Sequence, residues 1–341
     1  MEKISNGALA APLIGQVKEK EMTKTNWKEW FELAIPLISA GITIAADQLV
    51  KRNIRQNHVS HDWLTWLMVL AIVVYGVFLA WSFASEDVKK RIIYGAPFYA
   101  VLFQLLNGLN LVTAKFALIP VIYFPAPDRI FQVFFSDTKV LLSCIAYSYS
   151  LLAISWVLGV ALGIATGAWL GFSRKASYWL WPFIRAIGPI PPVAWIPLAL
   201  VIFPTMYSGS VFLLVLSIWF PTASLTFSGI VNVNKSYFEV AETLGASKWY
   251  QVFHVAIPAA MPDIFMGVFT GTCLSFVVLI TAEMMGAKYG LGWYVNWQKE
   301  MMAYSNVYAG LILIAGSFCL FMSLLMRLKE HLMVWQKGVI R

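Results

Sequence analysis

The chain has 341 residues, of which 60% are hydrophobic and only 12% are charged, and its formal net charge is +8. A soluble protein would contain about a quarter charged residues, so the composition excludes an ordinary soluble domain. Apolar runs long enough to cross roughly 30 Å of hydrocarbon recur and predict an all-α, polytopic membrane helical bundle. We interpret the positive charge as a topology signal and an attraction for membrane lipid, with no nucleic-acid partner.

The first unambiguous predicted span in chain order is residues 62–85. The later predicted spans are 97–124, 140–172, 181–204, 210–231, 262–283 and 306–326. Lys115 is placed in its span where its amine can extend toward an interface. Residues 32–50 are ambiguous, because Asp47 and other polar residues interrupt them and a charge at depth costs a few kcal/mol. An interfacial or buried helix and a true span both remain open for this segment.

The Lys and Arg residues predict an orientation, since they favour the cytoplasmic side. If the polar segment at 232–258 is cytoplasmic, twelve basic residues near the span ends lie inside and four lie outside. The sequence therefore predicts a cytoplasmic C-terminus as well. Lys51, Arg52 and Arg55 fall outside on this topology, so the placement of the N-terminal region stays open.

Four glycines recur every four residues in the span 140–172: Gly159, Gly163, Gly167 and Gly171. This spacing places them on one helix face, where the missing side chains let another backbone approach closely. We expect helix packing within the bundle, and a subunit interface is the alternative. Neither interpretation gives these glycines a catalytic role.

Motifs for nucleotide, metal or covalent chemistry are absent from the sequence. It contains no Gly-Lys dipeptide, hence no P-loop, and no HExxH, paired-Cys or GxSxG motif. His58 and His61 are expected to be solvated residues and not metal ligands. Asp263 and Glu283 lie near opposite ends of one span, which argues against a proton-coupled transporter. We therefore expect no enzyme activity, no cofactor and no metal in this chain, and energy supplied by another subunit.

The polar segment 232–258 has the features of a surface docking element. Ser236 and Glu239 form an S-x-x-E capping box that predicts a helix start. Tyr237, Val240, Ala241 and Leu244 follow as one apolar stripe. Gly245 permits a left-handed turn and Ser247 can cap a second helix, which carries Trp249, Phe253 and Ala256 and which Pro258 is expected to interrupt. An amphipathic linker resting on lipid headgroups is the alternative.

This segment resembles the cytoplasmic E-A-A-x3-G-x9-I-x-L-P loop of permease subunits in binding-protein-dependent ABC importers. Glu239, Ala241, Gly245 and Pro258 match at the full spacing, while Val240, Val255 and Ile257 depart conservatively. The runs "RAIGPIPPVAWIPLALVIF", "FPAPDRIFQVF", "TAEMMGAKYGLGWYV" and "RLKEHLMVW" resemble the nitrate, sulfonate, taurine and bicarbonate group. The resemblance covers about residues 97–341.

The resemblance implies a domain plan. Residues 97–341 would be a six-span permease core with its coupling loop at 232–258. Residues 62–96 would add a further span and a basic loop, and residues 1–61 an N-terminal extension.

The resemblance also implies partners and roles. Two permease copies, as a homodimer, would form the pathway in a bacterial inner membrane, with ATP-Mg held by separate cytoplasmic ABC ATPases. An extracytoplasmic substrate-binding protein would deliver a small anion to outer loops near 125–139 and 284–304. Residues assigned to ATPase coupling are Glu239, Ala241, Glu242, Gly245 and Pro258.

The substrate pathway has only weak candidates, chosen because a cation or hydroxyls can meet an anion: Arg185, Thr270, Thr272 and Ser275. Most hydroxyls within spans bond to their own backbone carbonyls. An ATP-independent secondary transporter or channel is the alternative function, and a membrane scaffold that recruits a soluble partner without transport is a third.

Overall fold

The computed structural model describes residues 10–51, 62–82, 86–116, 118–120 and 122–334, and for residues 10–28, 82, 86 and 87 it describes the backbone alone. Every regular element in these ranges is helical. The predicted all-α membrane fold is confirmed. The chain divides after Ser136 into two compact units.

Within its described residues, the first unit contains four helices. They are α1 (Ala10–Leu49), α2 (Trp63–Ser82), α3 (Glu86–Asn110) and α4 (Pro127–Ser136). A π-helical turn, Leu111–Lys115, extends α3. In this described part of the chain, three segments are long and apolar enough to cross a membrane: Glu29–Leu49, Trp63–Trp81 and Val88–Lys115.

Buried small and apolar side chains hold α1, α2 and α3 together. Ala40, Leu64 and Met68 form the centre of the cluster. The Ser39 hydroxyl donates to the Ala100 carbonyl at 2.9 Å, which links α1 to α3. The ambiguous segment 32–50 is therefore part of a continuous helix packed against two others.

Two sequence-based expectations in this unit are wrong. The span expected at 97–124 runs from Val88 to Lys115, because Pro120 cannot continue a helix. Lys115 does not extend to an interface: it is 5% exposed, and its Nζ lies 2.9 Å from Asp47 Oδ1. A pattern of hydropathy along one segment cannot reveal a partner 68 residues away.

The second unit contains the remaining helices. They are α5 (Thr138–Phe172), α6 (Arg174–Ile187), α7 (Ile196–Ile202), α8 (Met206–Val231), α9 (Lys235–Thr243), α10 (Lys248–Gln251), α11 (Ile257–Met284), α12 (Leu291–Glu300) and α13 (Tyr304–Leu332). Four segments are candidate spans: Thr138–Phe172, Met206–Val231, Lys248–Met284 and Tyr304–Leu332. The proline-rich stretch Arg174–Ile202 bends by 88° between α6 and the turn before α7.

Helix α8 is packed between α5 and α11 through glycines on both neighbours. On α5, a Cβ on Gly163 would lie 2.6 Å from Thr222 Cβ; on α11, a Cβ on Gly267 would lie 2.9 Å from Thr222 Cα. Gly159 and Gly271 approach Ile218 in the same way. Gly167 and Gly171 meet Thr226 and Ile230. The structure thus places all four glycines of the ladder against α8 of the same chain.

Candidate functional site

The polar segment begins with a helix capped by a residue that the sequence pattern did not select. Asn234 is the N-cap of α9, and its Oδ1 accepts from the Ser236 backbone N–H at 3.0 Å. The expected capping box of Ser236 and Glu239 is therefore wrong. Asparagine is as good a cap as serine, and it occurs two residues earlier.

Gly245 ends α9 in the left-handed conformation that the sequence predicts, with φ +79°. Its N–H donates to the Glu242 carbonyl at 2.9 Å, and the Ala246 N–H donates to the Ala241 carbonyl at 3.0 Å. This pair of bonds is the Schellman motif. Ser247 then caps α10 by accepting from the Tyr250 N–H at 3.3 Å, as expected.

Pro258 does not interrupt the second helix. A π-helical turn, Val252–Ala256, follows α10 and leads directly into α11, where Pro258 occupies the first turn. The Ile257 N–H bonds to the Val252 carbonyl, and a wide turn of this kind accommodates the missing proline N–H. The second arm is consequently continuous with a span of 37 residues, Lys248–Met284.

One side of the segment is anchored to the helix ends. Phe238 lies edge-on to Phe172 with ring centroids 6.1 Å apart. It also packs on the buried cluster that contains Ile230 and Ala256. Ala241 is 8% exposed, so it is the buried member of the predicted stripe, although it still contributes to the lining of the groove on the opposite side. Sequence reasoning missed Phe238, whose position three residues before Ala241 was the available signal.

The opposite side is an open apolar groove. Tyr237, Val240 and Leu244 are 59%, 58% and 82% exposed. With Tyr250 and His254, whose rings stack 4.2 Å apart, they line a groove of about 830 Å³. We call it the docking groove. Glu239 and Glu242 are exposed, and neither has a partner among the side-chain contacts of the described residues.

A second polar site holds α12 at the far end of α11. Glu283 is fully buried and accepts from the Ser148 hydroxyl at 2.6 Å and from the Gly292 N–H at 2.8 Å. The Ser148 oxygen in turn accepts from the Leu291 N–H at 2.9 Å. Gly290 has φ +125°, and a Cβ there would overlap the Glu283 carboxylate. Sequence reasoning noted Glu283 but missed its partners.

Tyr294 extends this site toward α5 and α13. Its hydroxyl donates to Asp137 Oδ2 at 2.8 Å, and the Asn306 amide donates to the same oxygen at 2.8 Å. Burial, followed by the neighbouring Asp137 carboxylate, raises the pKa of the Tyr294 hydroxyl above its usual value. The phenol therefore stays protonated and acts as a donor.

The candidate pathway residues differ in exposure, and the three hydroxyls each bond to a backbone carbonyl of α11. Arg185 is exposed on α6. The Thr270 hydroxyl is exposed and donates to the Met266 carbonyl at 2.9 Å. Thr272 and Ser275 are buried and donate to backbone carbonyls of α11 at 2.7 and 2.8 Å, and Thr272 also accepts from Trp156 Nε1.

No cluster of three or more metal-binding side chains occurs among the residues that the structure describes. His58 and His61 lie outside those residues. Cys144, Cys273 and Cys319 are free thiols.

Comparison with known proteins identifies a family and several relatives. The sequence profile of the family described as "Binding-protein-dependent transport system inner membrane component" matches residues 159–333, just over half of the chain. The putative aliphatic sulfonates transport permease protein SsuC of Bacillus subtilis is 30% identical over 187 residues, which cover 54% of this chain and 67% of that protein.

Two further comparisons agree with this match. The taurine transport system permease protein TauC of Escherichia coli is 29% identical over 210 residues, covering 59% of this chain and 76% of that protein. Among solved structures, the inward-facing MetNI methionine ABC transporter contains a chain that aligns with a TM-score of 0.50 and 17% identity. It covers 58% of this chain and 98% of that chain, and this likeness shows the fold alone.

Proposed function

Because this chain belongs to the family of binding-protein-dependent transport system inner membrane components, we propose that its docking groove receives a separate cytoplasmic ABC ATPase. In this proposal, ATP-Mg is bound and hydrolysed on that ATPase, and closure of the ATPase moves the coupling loop at 232–258. Glu239, Ala241, Glu242, Gly245 and Pro258 belong to this coupling element. The solute moves through spans contributed by two copies of the permease.

The observation that carries the proposal is the two-sided construction of this loop. Leu244 is 82% exposed at the groove, while Phe238 on the opposite side packs against the ends of the spans. An exposed apolar patch rimmed by carboxylates is typical of a protein docking site. A force applied at the groove is transmitted to α11 without a flexible break, because the second arm is helical from Lys248 to Met284.

Charge supports a cytoplasmic location for the groove. The basic residues near the span ends favour the side that carries the loop and the C-terminus. On that topology α12, together with the rest of 284–304, faces the opposite side, where an extracytoplasmic binding protein would deliver the solute.

The decisive experiment compares a negative charge placed inside the docking groove with the same charge placed at the end of α9 but outside the groove. Leu244→Asp puts the charge in the groove, and Thr243→Asp puts it on an exposed neighbour outside the groove. Losing the burial of one leucine weakens association by more than about tenfold. We expect Leu244→Asp to lose the co-purified ATPase, identified by its P-loop sequence, and ATP-driven uptake, and Thr243→Asp to keep both.

The two variants are matched, because each adds one negative charge. Membrane insertion and helical content are measured for both, so that misfolding is not mistaken for lost docking. Equal retention of the ATPase by both variants would contradict the docking assignment. Uptake into proteoliposomes that contain no ATP would favour a secondary transporter or a channel instead.

The proposed solute class is a small anion. Relatives named for aliphatic sulfonates, taurine and nitrate support it. In this proposal the extracytoplasmic binding protein selects the solute. Its ligand can be identified by thermal-shift screening of that protein against sulfonates, taurine, nitrate and bicarbonate. Arg185 and Thr270 are the exposed candidates along the pathway, and Arg185→Gln is expected to reduce uptake. Thr272 and Ser275 are the buried candidates.

A further inference from the structure

A second groove lies in the first unit, between α2 and α3, and its lining shares no residue with the docking groove. It has a volume of about 590 Å³. Its walls are almost entirely apolar and aromatic, and the residues that form them recur on one face of each helix: Ala71, Val74, Tyr75, Phe78 and Trp81 on α2, and Val88, Arg91, Ile92, Tyr99 and Phe103 on α3. We call it the α2–α3 groove.

The groove is about as long as the hydrocarbon part of one lipid leaflet. From Ala71 to Trp81 the wall rises by ten residues, or about 15 Å, which is half of the roughly 30 Å hydrocarbon core. Val74, Phe78 and Trp81 remain 46%, 47% and 59% exposed. Gly95 falls between Ile92 and Tyr99 on α3, and the Tyr99 ring packs against it, since a Cβ on Gly95 would lie 3.0 Å from Tyr99 Cε2.

A positively charged side chain, that of Arg91, lies at one end of the α2–α3 groove. Among the lining residues whose side chains the structure describes, Arg91 is the single charged one. Neighbouring Lys89 is paired with Glu29 at 2.6 Å, whereas no carboxylate among the described side chains lies within salt-bridge distance of Arg91. Trp81 lies at the same end, where an amphipathic indole suits the headgroup level of a bilayer.

We propose that the α2–α3 groove binds one anionic phospholipid. Arg91 holds the phosphate, since a guanidinium offers paired donors to phosphate oxygens. One of the two acyl chains lies along Phe78 and Val74 toward Ala71. Charge complementarity at one end and apolar walls over the remaining length select this occupant over a free anion.

The test is native mass spectrometry of the full chain released from nanodiscs that contain phosphatidylglycerol and phosphatidylcholine. We expect phosphatidylglycerol to be retained preferentially. Arg91→Gln should reduce the retained fraction by about tenfold, the loss expected for one charge-assisted contact. Lys90→Gln is the matched control, because it removes the same charge next to Arg91 but outside the groove lining.

A second variant tests the acyl-chain seat separately from the headgroup contact. Ala71→Phe fills the deep end and leaves Arg91 in place, so it should also reduce retention. Helical content and monodispersity are compared for all variants, so that unfolding is not mistaken for lost binding.

Several results would overturn the proposal. Equal loss in Arg91→Gln and Lys90→Gln would indicate general charge attraction. Full retention in Ala71→Phe would indicate a headgroup contact only, and equal retention of phosphatidylcholine would exclude an anionic site. Displacement of the lipid by glycerol phosphate would identify a free-phosphate site instead.

Discussion

Lys115 Nζ lies 2.9 Å from Asp47 Oδ1, and each of the two side chains keeps only 1% of its surface exposed. Asn110 donates to the same carboxylate at 3.0 Å, and Thr65 donates to its other oxygen at 2.7 Å. The π-helical turn at 111–115 includes Lys115. Together, these contacts of the Asp47 carboxylate join the end of α1 to α2 and to the end of α3.

Breaking this pair should destabilise the protein strongly. Asp47→Leu or Lys115→Met alone leaves one buried charge without its partner, which costs about 3–5 kcal/mol. The double variant removes both charges and should recover most of the lost stability. Thermal unfolding in detergent measures each variant, and the four proteins form a double-mutant cycle.

Lys89→Met is the control for this cycle, because it breaks the Lys89–Glu29 pair, whose side chains are 31% and 35% exposed. An exposed pair contributes at most about 1 kcal/mol. If Lys115→Met lowered the unfolding temperature no more than Lys89→Met, the breaking of the buried pair would not be strongly destabilising.

The glycines that face α8 should tolerate no added methyl group. A Cβ on Gly163 would lie 2.6 Å from Thr222 Cβ, and overpacking of this kind costs about 1–3 kcal/mol. Gly316→Ala is the control, because nothing lies within 4 Å of the added atom. We expect the apparent melting temperature to fall for Gly163→Ala and to stay or rise for Gly316→Ala. Equal behaviour of the two variants would contradict the close packing.

Glu283 and Ser148 should act as a coupled pair that holds α12. Ser148→Ala removes the hydroxyl that bonds both Glu283 and the Leu291 N–H. Leaving buried polar groups unsatisfied costs about 1–3 kcal/mol. We expect protease cleavage within 285–303 to increase in Ser148→Ala and in Glu283→Gln. The double variant should cost less than the sum of the two single effects, and strict additivity would show that the two side chains act independently.

Tyr294 predicts loss of stability at alkaline pH. Burial and Asp137 raise the pKa of its hydroxyl in the folded state, so the unfolded chain releases this proton first, from its ordinary value of about 10 upward. The contribution of Tyr294 is therefore complete below pH of about 10 and is lost as the pH rises through the higher folded-state pKa. Unfolding curves between neutral pH and pH of about 11 should show a smaller alkaline loss in Tyr294→Phe than in the wild-type protein.

Gly245 should be replaceable only by residues that accept a left-handed backbone. A Cβ at this position meets nothing within 4 Å, but φ is +79°, so conformation and not space limits the choice. Gly245→Ala should cost about 1–2 kcal/mol locally, and Gly245→Asn should cost less. ATP-driven uptake measures the effect, and equal activity of the two variants would remove backbone conformation as the reason for glycine.

The sequence by itself determined the membrane class, the helical fold, the family resemblance, and the turn at Gly245 with the cap at Ser247 in the loop. Hydropathy, the spacing from Glu239 to Pro258 and the conformational freedom of Gly245 are properties of short stretches, and such stretches can be interpreted without a fold. The four-residue glycine spacing on α5 likewise predicted a close helix contact, although not the identity of α8 as the neighbour.

Only the tertiary structure decided which groups meet. Asp47 with Lys115, Ser148 with Glu283, and Asp137 with Tyr294 are separated by 68, 135 and 157 residues, and no local pattern encodes such pairs. The same holds for Ala241, which shares a stripe and the groove lining with Val240 and Leu244 but is buried where they are exposed. Burial and pairing depend on three-dimensional neighbours, so the cost of a buried charge and the exposure of the docking groove became visible only in the folded chain.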